Sequence, residues 1–170
     1  MLFCRATYSG SGYIDFTVGY NYGPAPFPCD SVTMTTRHTP AATSAAPADQ
    51  TARLRVNEIF YSLQGESRTV GLPTVFVRLT GCPLRCGYCD TEYAFSEGRW
   101  MTVAEILTQV AGHQPRYVTV TGGEPLAQRP CIGLLAGLCD AGYEVSLETS
   151  GAVDIGAVDP RVCMVMDVKT

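Results

Sequence analysis

Charge is scarce in this chain. Charged residues make up 16% of its 170 positions, against about 25% in an ordinary soluble domain, so part of the chain is not ordinary folded surface. Lys and Arg nowhere cluster and the net charge is −4, which argues against the basic face that nucleic-acid phosphates require. No uninterrupted apolar run approaches the roughly 18 residues that a membrane-spanning helix needs. The first thirty residues are aromatic and Gly-rich but lack the continuous apolar stretch of a secretory signal. A cytoplasmic protein without membrane or nucleic-acid partners is the expectation. Histidine is rare as well: His38 and His113 are the only two.

Apolar residues reach 46%, enough for one core in a chain of single-domain length. The eight cysteines are Cys4, Cys29, Cys82, Cys86, Cys89, Cys131, Cys139 and Cys163. In a chain with no secretory features they read as metal ligands or free thiols rather than as disulfides.

Residues 1–52 differ from the rest. Gly, Pro, Ser, Thr and Ala dominate and no helix or strand period is sustained, which predicts a disordered N-terminal extension. Met34 opens a segment resembling a natural start, and translation is expected to begin there. Residues 53–170 read as one α/β domain. Pro73–Thr80, Arg116–Thr121, Tyr143–Thr149 and Arg161–Lys169 are β-branched or apolar runs that predict strands. Thr102 and Glu105 form a capping box for a helix through "VAEILTQVA", with Gly112 able to end it. A second helix is predicted from Cys131 to Ala141, weakened by Gly133 and Gly137 and stopped at Gly142. Strands alternating with helices imply parallel βαβ units. Polar loops follow several strands, at 81–91, 122–125 and 150–151, where parallel folds bind ligands. The chain stops at "DVKT", where a strand should hand over to a loop, so a domain truncated at its C-terminal end is expected.

The loop "GCPLRCGYCDT" carries Cys82, Cys86 and Cys89. Three thiolates in one tight loop can converge on one metal centre. Structural zinc wants four protein ligands, and no fourth cysteine or histidine lies nearby. Three cysteines suit a 4Fe-4S cluster with one iron left open. A zinc site completed by a distant residue is the alternative. Cys131, Cys139 and Cys163 fall on apolar faces and read as small hydrophobes.

The spacing CxxxCxxC, with Tyr88 before the last cysteine, resembles the radical S-adenosylmethionine (SAM) superfamily. "TGGEP", with Gly122, Gly123 and Glu124, and "ETSG", with Glu148 and Ser150, follow in the family's order. By themselves these two would read as turns. The resemblance implies an incomplete parallel (β/α) barrel. It implies that the three cysteines hold the cluster, that SAM chelates the open iron, and that Tyr88, Gly122, Gly123, Glu124, Glu148 and Ser150 bind SAM.

Four further features together resemble one family within it, the 7-carboxy-7-deazaguanine synthases: "EIFYSLQGES" (58–67), "VFVRLTGC" with Arg78, "CDT" with Thr91, and the terminal "DVKT". That resemblance covers about residues 54–170. It implies conversion of 6-carboxy-5,6,7,8-tetrahydropterin to 7-carboxy-7-deazaguanine with loss of ammonia, a lyase step toward queuosine. It implies Gln64, Glu66 and Arg78 as substrate-binding residues and Thr91 as a ligand of Mg2+. An electron donor such as flavodoxin or ferredoxin and a homodimer are implied too. The side chains suit these tasks: Gln64 offers an amide, Glu66 accepts from ring N–H groups, and Arg78 can pair with a carboxylate through two prongs. Taken singly, the same residues would read as a surface turn, a strand-edge charge and a loop cap. A glycyl-radical-enzyme activase shares the cysteine spacing, but it must admit a protein loop rather than clamp a pterin.

Overall fold

Alternating burial sets the sheet, and helical spacing sets its cover. The computed structural model describes residues 2–9, 13–20 and 49–167. The chain divides into two units, Met1–Ser44 and Ala45–Thr170.

In the first unit, β1 (Leu2–Ser9) pairs antiparallel with β2 (Tyr13–Tyr20), in register from Leu2↔Tyr20 to Ser9↔Tyr13. The sequence alone predicts no strand in either stretch. Both segments are rich in aromatic and β-branched residues around Gly-Ser-Gly, which favours strands; the composition of the longer segment masked that local signal. Residues 21–48, including Met34, lie outside the described residues.

The second unit holds β3 (Arg53–Leu63), β4 (Pro73–Leu79), β5 (Arg99–Thr102), α1 (Val103–Gly112), β6 (Tyr117–Gly122), α2 (Cys131–Asp140), β7 (Glu144–Thr149) and β8 (Cys163–Met166). The sheet order is β5-β3-β4-β6-β7-β8. Strands β4, β6, β7 and β8 run parallel, as the alternating pattern predicts. Strand β3 is antiparallel to both its neighbours, so the sheet is mixed. The reason is the short 64–72 connection, which can join only antiparallel strands, whereas parallel ones need a crossover. The sequence reading took 58–67 as a motif and saw no strand at Arg99–Thr102.

Along β4, Val75, Val77 and Leu79 are fully buried, while Thr74, Phe76 and Arg78 point to the opposite face by the strand's two-residue period. The first face packs under the helices. In α1, Val103, Ile106 and Val110 are buried at three- and four-residue spacing. In α2, Cys131, Leu134, Leu135 and Leu138 are buried. Truncating a core leucine such as Leu134 to alanine should cost about 2–5 kcal/mol. The predicted capping box is present in both directions: Glu105 N–H donates to Thr102 Oγ1 at 3.2 Å, and Thr102 N–H donates to Glu105 Oε2 at 2.7 Å. Helix α2 ends at Asp140, and Gly142 takes the left-handed conformation (φ 89) expected of a stop.

The other sheet face is polar toward the carboxyl ends of the parallel strands. Thr119, Thr121 and Ser146 are buried there, and the loops that follow β4, β6 and β7 open beyond them. Strand β8 is shorter than the predicted Arg161–Lys169, and residues 168–170 lie outside the described residues. Among the described residues, no helix is long and apolar enough to cross a membrane.

Candidate active site

A cavity of ≈ 390 Å³ sits at the carboxyl ends of β4, β6 and β7. Glu66, Arg78, Cys82, Cys86, Tyr88, Cys89, Thr91, Gly122, Gly123, Glu148 and Ser150 all line it. Residues separated by more than eighty positions in the chain are thus brought to one concave surface.

The cysteine loop leaves the end of β4 and closes on itself at its neck, where Gly81 N–H donates to the Ala94 carbonyl at 2.8 Å. Between these points Cys82, Cys86 and Cys89 are free and partly exposed. Arg85 folds back on the loop, donating from Nη1 to the Cys82 and Leu84 carbonyls at 2.6 Å and lying 4.5 Å from the centre of the Phe95 ring. Its charge therefore serves the loop backbone. Among the described residues, no three His, Cys, Asp or Glu side chains converge on a single-ion position. In a 4Fe-4S cluster each thiolate binds a different iron. Three soft sulfur donors around a cavity rim fit that group.

Burial pushes the thiol of Cys131 well above its ordinary value, with Glu124 adding to the effect, and raises that of Cys139 to about 11. Both resist forming the thiolate that metal binding needs, in keeping with their reading as small hydrophobes.

Opposite the cysteine loop, the end of β6 packs directly on the loop's base. Gly122 sits at φ 147, and a Cβ there would fall 2.2 Å from the Leu79 carbonyl oxygen. A Cβ on Gly123 would fall 2.4 Å from the Gly81 carbonyl oxygen and 2.7 Å from Cys82 Cβ. Glu124 N–H donates to the Gly81 carbonyl at 2.9 Å. The two glycines are thus required by the approach of the two loops to each other, a reason the sequence did not reveal.

Glu124 and Gln64 lie behind the cavity surface. Neither lines the cavity, and both are buried. The carboxyl oxygens of Glu124 accept from Leu126 N–H (3.1 Å), Thr149 Oγ1 (2.9 and 3.0 Å), Ser150 N–H (2.9 Å) and Ser150 Oγ (2.5 Å). Glu124 therefore ties the loop after β6 to the loop after β7. Gln64 lies beneath the floor. Its Nε2 donates to Thr119 Oγ1 at 2.9 Å and to Glu148 Oε1 at 3.3 Å, and its Oε1 accepts from Glu66 N–H at 3.0 Å. Thr119 and Ser146 hydroxyls continue the network at 2.8 Å. Gln64 thus orients Glu66 and Glu148, two residues that do line the cavity. Next to Glu66, Ser67 takes a left-handed φ of 66, a conformation that costs of order 1–3 kcal/mol and clusters at ligand sites.

Arg78 lines the cavity as well. Its Nε donates to Glu58 Oε1 at 2.8 Å. Thr91 donates from Oγ1 to Asp90 Oδ1 at 2.7 Å, which leaves hydroxyl lone pairs beside a carboxylate, a donor set suited to a hard cation. Asp90, Thr149 and Asp167 also line the cavity and were not foreseen as site residues. All three stand inside motifs named above, "CDT", "ETSG" and "DVKT", which is the signal that could have found them.

Residues 76–161 match the Radical SAM superfamily. Over 118 residues the chain is 50% identical to the 7-carboxy-7-deazaguanine synthase of Chlorobaculum tepidum, covering 69% of this chain and 54% of that protein. Over 127 residues it is 44% identical to the 7-carboxy-7-deazaguanine synthase of Methanospirillum hungatei, covering 74% and 54%. The crystal structure of QueE from Escherichia coli superposes with a TM-score of 0.64 at 26% identity, covering 69% of this chain and 60% of that one. The chain spans about half the length of the curated relatives it matches.

Proposed function

The chain belongs to the radical SAM superfamily, and from that premise we propose that it acts on 6-carboxy-5,6,7,8-tetrahydropterin, giving 7-carboxy-7-deazaguanine and ammonia. The observation that carries the reading is one cavity lined together by three free cysteines, by an arginine of the kind that pairs with carboxylates and by the exposed Glu66. The likeness to proteins named 7-carboxy-7-deazaguanine synthase supports the choice of substrate.

In this reading Cys82, Cys86 and Cys89 hold a 4Fe-4S cluster. When bound, the cluster and S-adenosylmethionine supply a radical that removes a hydrogen atom from the substrate. The protein's own residues do the rest. Glu148 and Ser150 present acceptor oxygens to a ligand ammonium, and Tyr88 flanks the cluster on the cavity wall. Arg78 anchors the pterin carboxylate through its terminal nitrogens, and Glu66 accepts from ring N–H groups. Gln64 and Glu124 keep these groups aimed from below. Thr91, with Asp90 beside it, offers oxygen to Mg2+ near the cluster loop. An electron donor of the flavodoxin or ferredoxin class and a homodimer complete the proposal, as does a place in queuosine synthesis in the cytoplasm.

The test is anaerobic reconstitution with iron and sulfide, followed by incubation with SAM, reductant and carboxytetrahydropterin. Chromatography should find both 5′-deoxyadenosine and 7-carboxy-7-deazaguanine. A colourless protein holding one zinc would refute the cluster. A brown protein that cleaves SAM yet leaves the pterin unchanged would refute the substrate.

A further inference from the structure

Strand β3 carries one irregularity, and it lies opposite Arg78. Val56 pairs with Leu79, but Glu58 pairs with Arg78, so Asn57 is an extra residue in the ladder. Without that bulge, Asn57 would face Arg78. Glu58 would instead sit across from Val77, whose side chain is fully buried on the helix-covered face. A one-residue slip turns a side chain to the other face of a sheet, and bulges beside sites re-aim side chains in this way. The irregularity thus delivers Glu58 to the cavity face, directly across from Arg78.

Glu58 meets a second partner there. Tyr93 donates its hydroxyl to the same Oε1 at 3.1 Å. Tyr93 belongs to the short 3₁₀ turn Glu92–Phe95 at the neck of the cysteine loop. The Arg78 guanidinium lies 5.7 Å from the centre of the Phe60 ring and 5.9 Å from that of Tyr93. Partial burial, the largest influence, raises the Tyr93 phenol above its ordinary value; Arg78 pulls it the other way and the bond to Glu58 adds to the rise. The Arg78 side chain is only 18% exposed. Among the described residues, its recorded hydrogen bond is from Nε alone, so both terminal nitrogens remain for the cavity.

We propose that Glu58 and Tyr93 are positioning residues that hold Arg78 by its Nε, so that its two terminal nitrogens face a ligand carboxylate. This deepens, and rests on, the reading of the site as one for a carboxylated pterin. A plain cross-strand ion pair would not need a tyrosine from another loop on the same carboxylate oxygen.

Two conservative variants test it in the reconstituted protein: Glu58→Gln, which keeps the shape, and Tyr93→Phe, which removes one oxygen. The KM for carboxytetrahydropterin should rise about tenfold in the first and about threefold in the second, from loss of a charged and a neutral hydrogen-bond partner. The kcat should stay within about twofold, because no group touching the reacting atoms changes. Binding of tetrahydropterin without the carboxylate should be unaffected. Arginine modification by phenylglyoxal gives a second readout that needs no substrate. Measured by mass spectrometry of the peptide containing Arg78, it should quicken in both variants. Unchanged KM and unchanged modification would overturn the inference while leaving the proposed reaction standing. A parent protein that binds no pterin, with faster modification in the variants, would instead refute the substrate and uphold the hold on Arg78. Loss of iron together with parallel changes for both pterins would show a merely structural role and overturn it too.

Discussion

The three loops that line the cavity are built on two opposite principles. The loops after β6 and β7 are cross-tied from inside: Glu124 is fully buried, and four donors converge on its carboxyl group. The cysteine loop is tied at its neck, by a turn from Cys89 N–H to the Cys86 carbonyl and by the Arg85 fold-back, and its three sulfurs are free and partly exposed. One side is finished by the fold alone. The other presents ligands that a metal group must draw together. The division suits a site in which a small molecule needs a preformed polar cradle while the cluster organises its own loop.

The sharpest way to break the comparison is at the sulfurs. Alanine at Cys82, Cys86 or Cys89 should abolish cluster assembly, read as iron and sulfide per chain after reconstitution, yet leave thermal unfolding of the apoprotein nearly unchanged. Alanine at Cys139 should leave the iron content intact. Iron lost with Cys139 but kept with Cys86 would reverse the assignment. On the braced side the effect should fall on stability first. Glu124→Ala strands several buried donors and should cost about 2–4 kcal/mol, measured by denaturant unfolding of the apoprotein. A loss below about 0.5 kcal/mol would mean that the buried ties do not brace the two loops.

Gly123 is where the two sides touch. Gly123→Ala puts a methyl group against the Gly81 carbonyl and Cys82 Cβ and should cost about 1–3 kcal/mol as an overpacked contact, with less iron bound per chain. Gly87→Ala, inside the cysteine loop, meets nothing within 4 Å and should stay within about 0.5 kcal/mol of the parent. Equal behaviour of the two would show that the close approach is unimportant. The smallest effect is expected at Thr91. Thr91→Ala should keep the cluster and SAM cleavage but lose stimulation by magnesium; a response matching the parent's would move the cation elsewhere.

Much of this arrangement was legible in local sequence. The Thr102–Glu105 box, the Gly142 stop, the strands at 73–79, 117–122 and 144–149 and the cysteine spacing depend on residues close together in the chain. Other features were not legible. Strand β5 is four residues long and is a strand only because Arg53–Val56 offers it a partner. The 58–67 segment was read for its motif, which hid that it continues a strand. The family resemblance assigns Gln64 and Glu124 to ligands, and the structure places both behind the cavity surface. Nothing local to either residue marks it as buried.

The sequence by itself determined the chemistry available: three thiolates in one loop, a glycine pair after a strand, an arginine, and a glutamine and glutamate two residues apart. It also determined the helix caps and most strands, because propensity, capping and alternation act over a few positions. Only the tertiary structure decided which of those groups face the cavity and which hold others in place. Burial, strand register and the approach of two backbones are properties of pairs far apart in the chain. The one-residue bulge at Asn57 shows the reason: a shift of a single position in pairing, invisible in composition or periodicity, decides whether Glu58 meets Arg78 or the core.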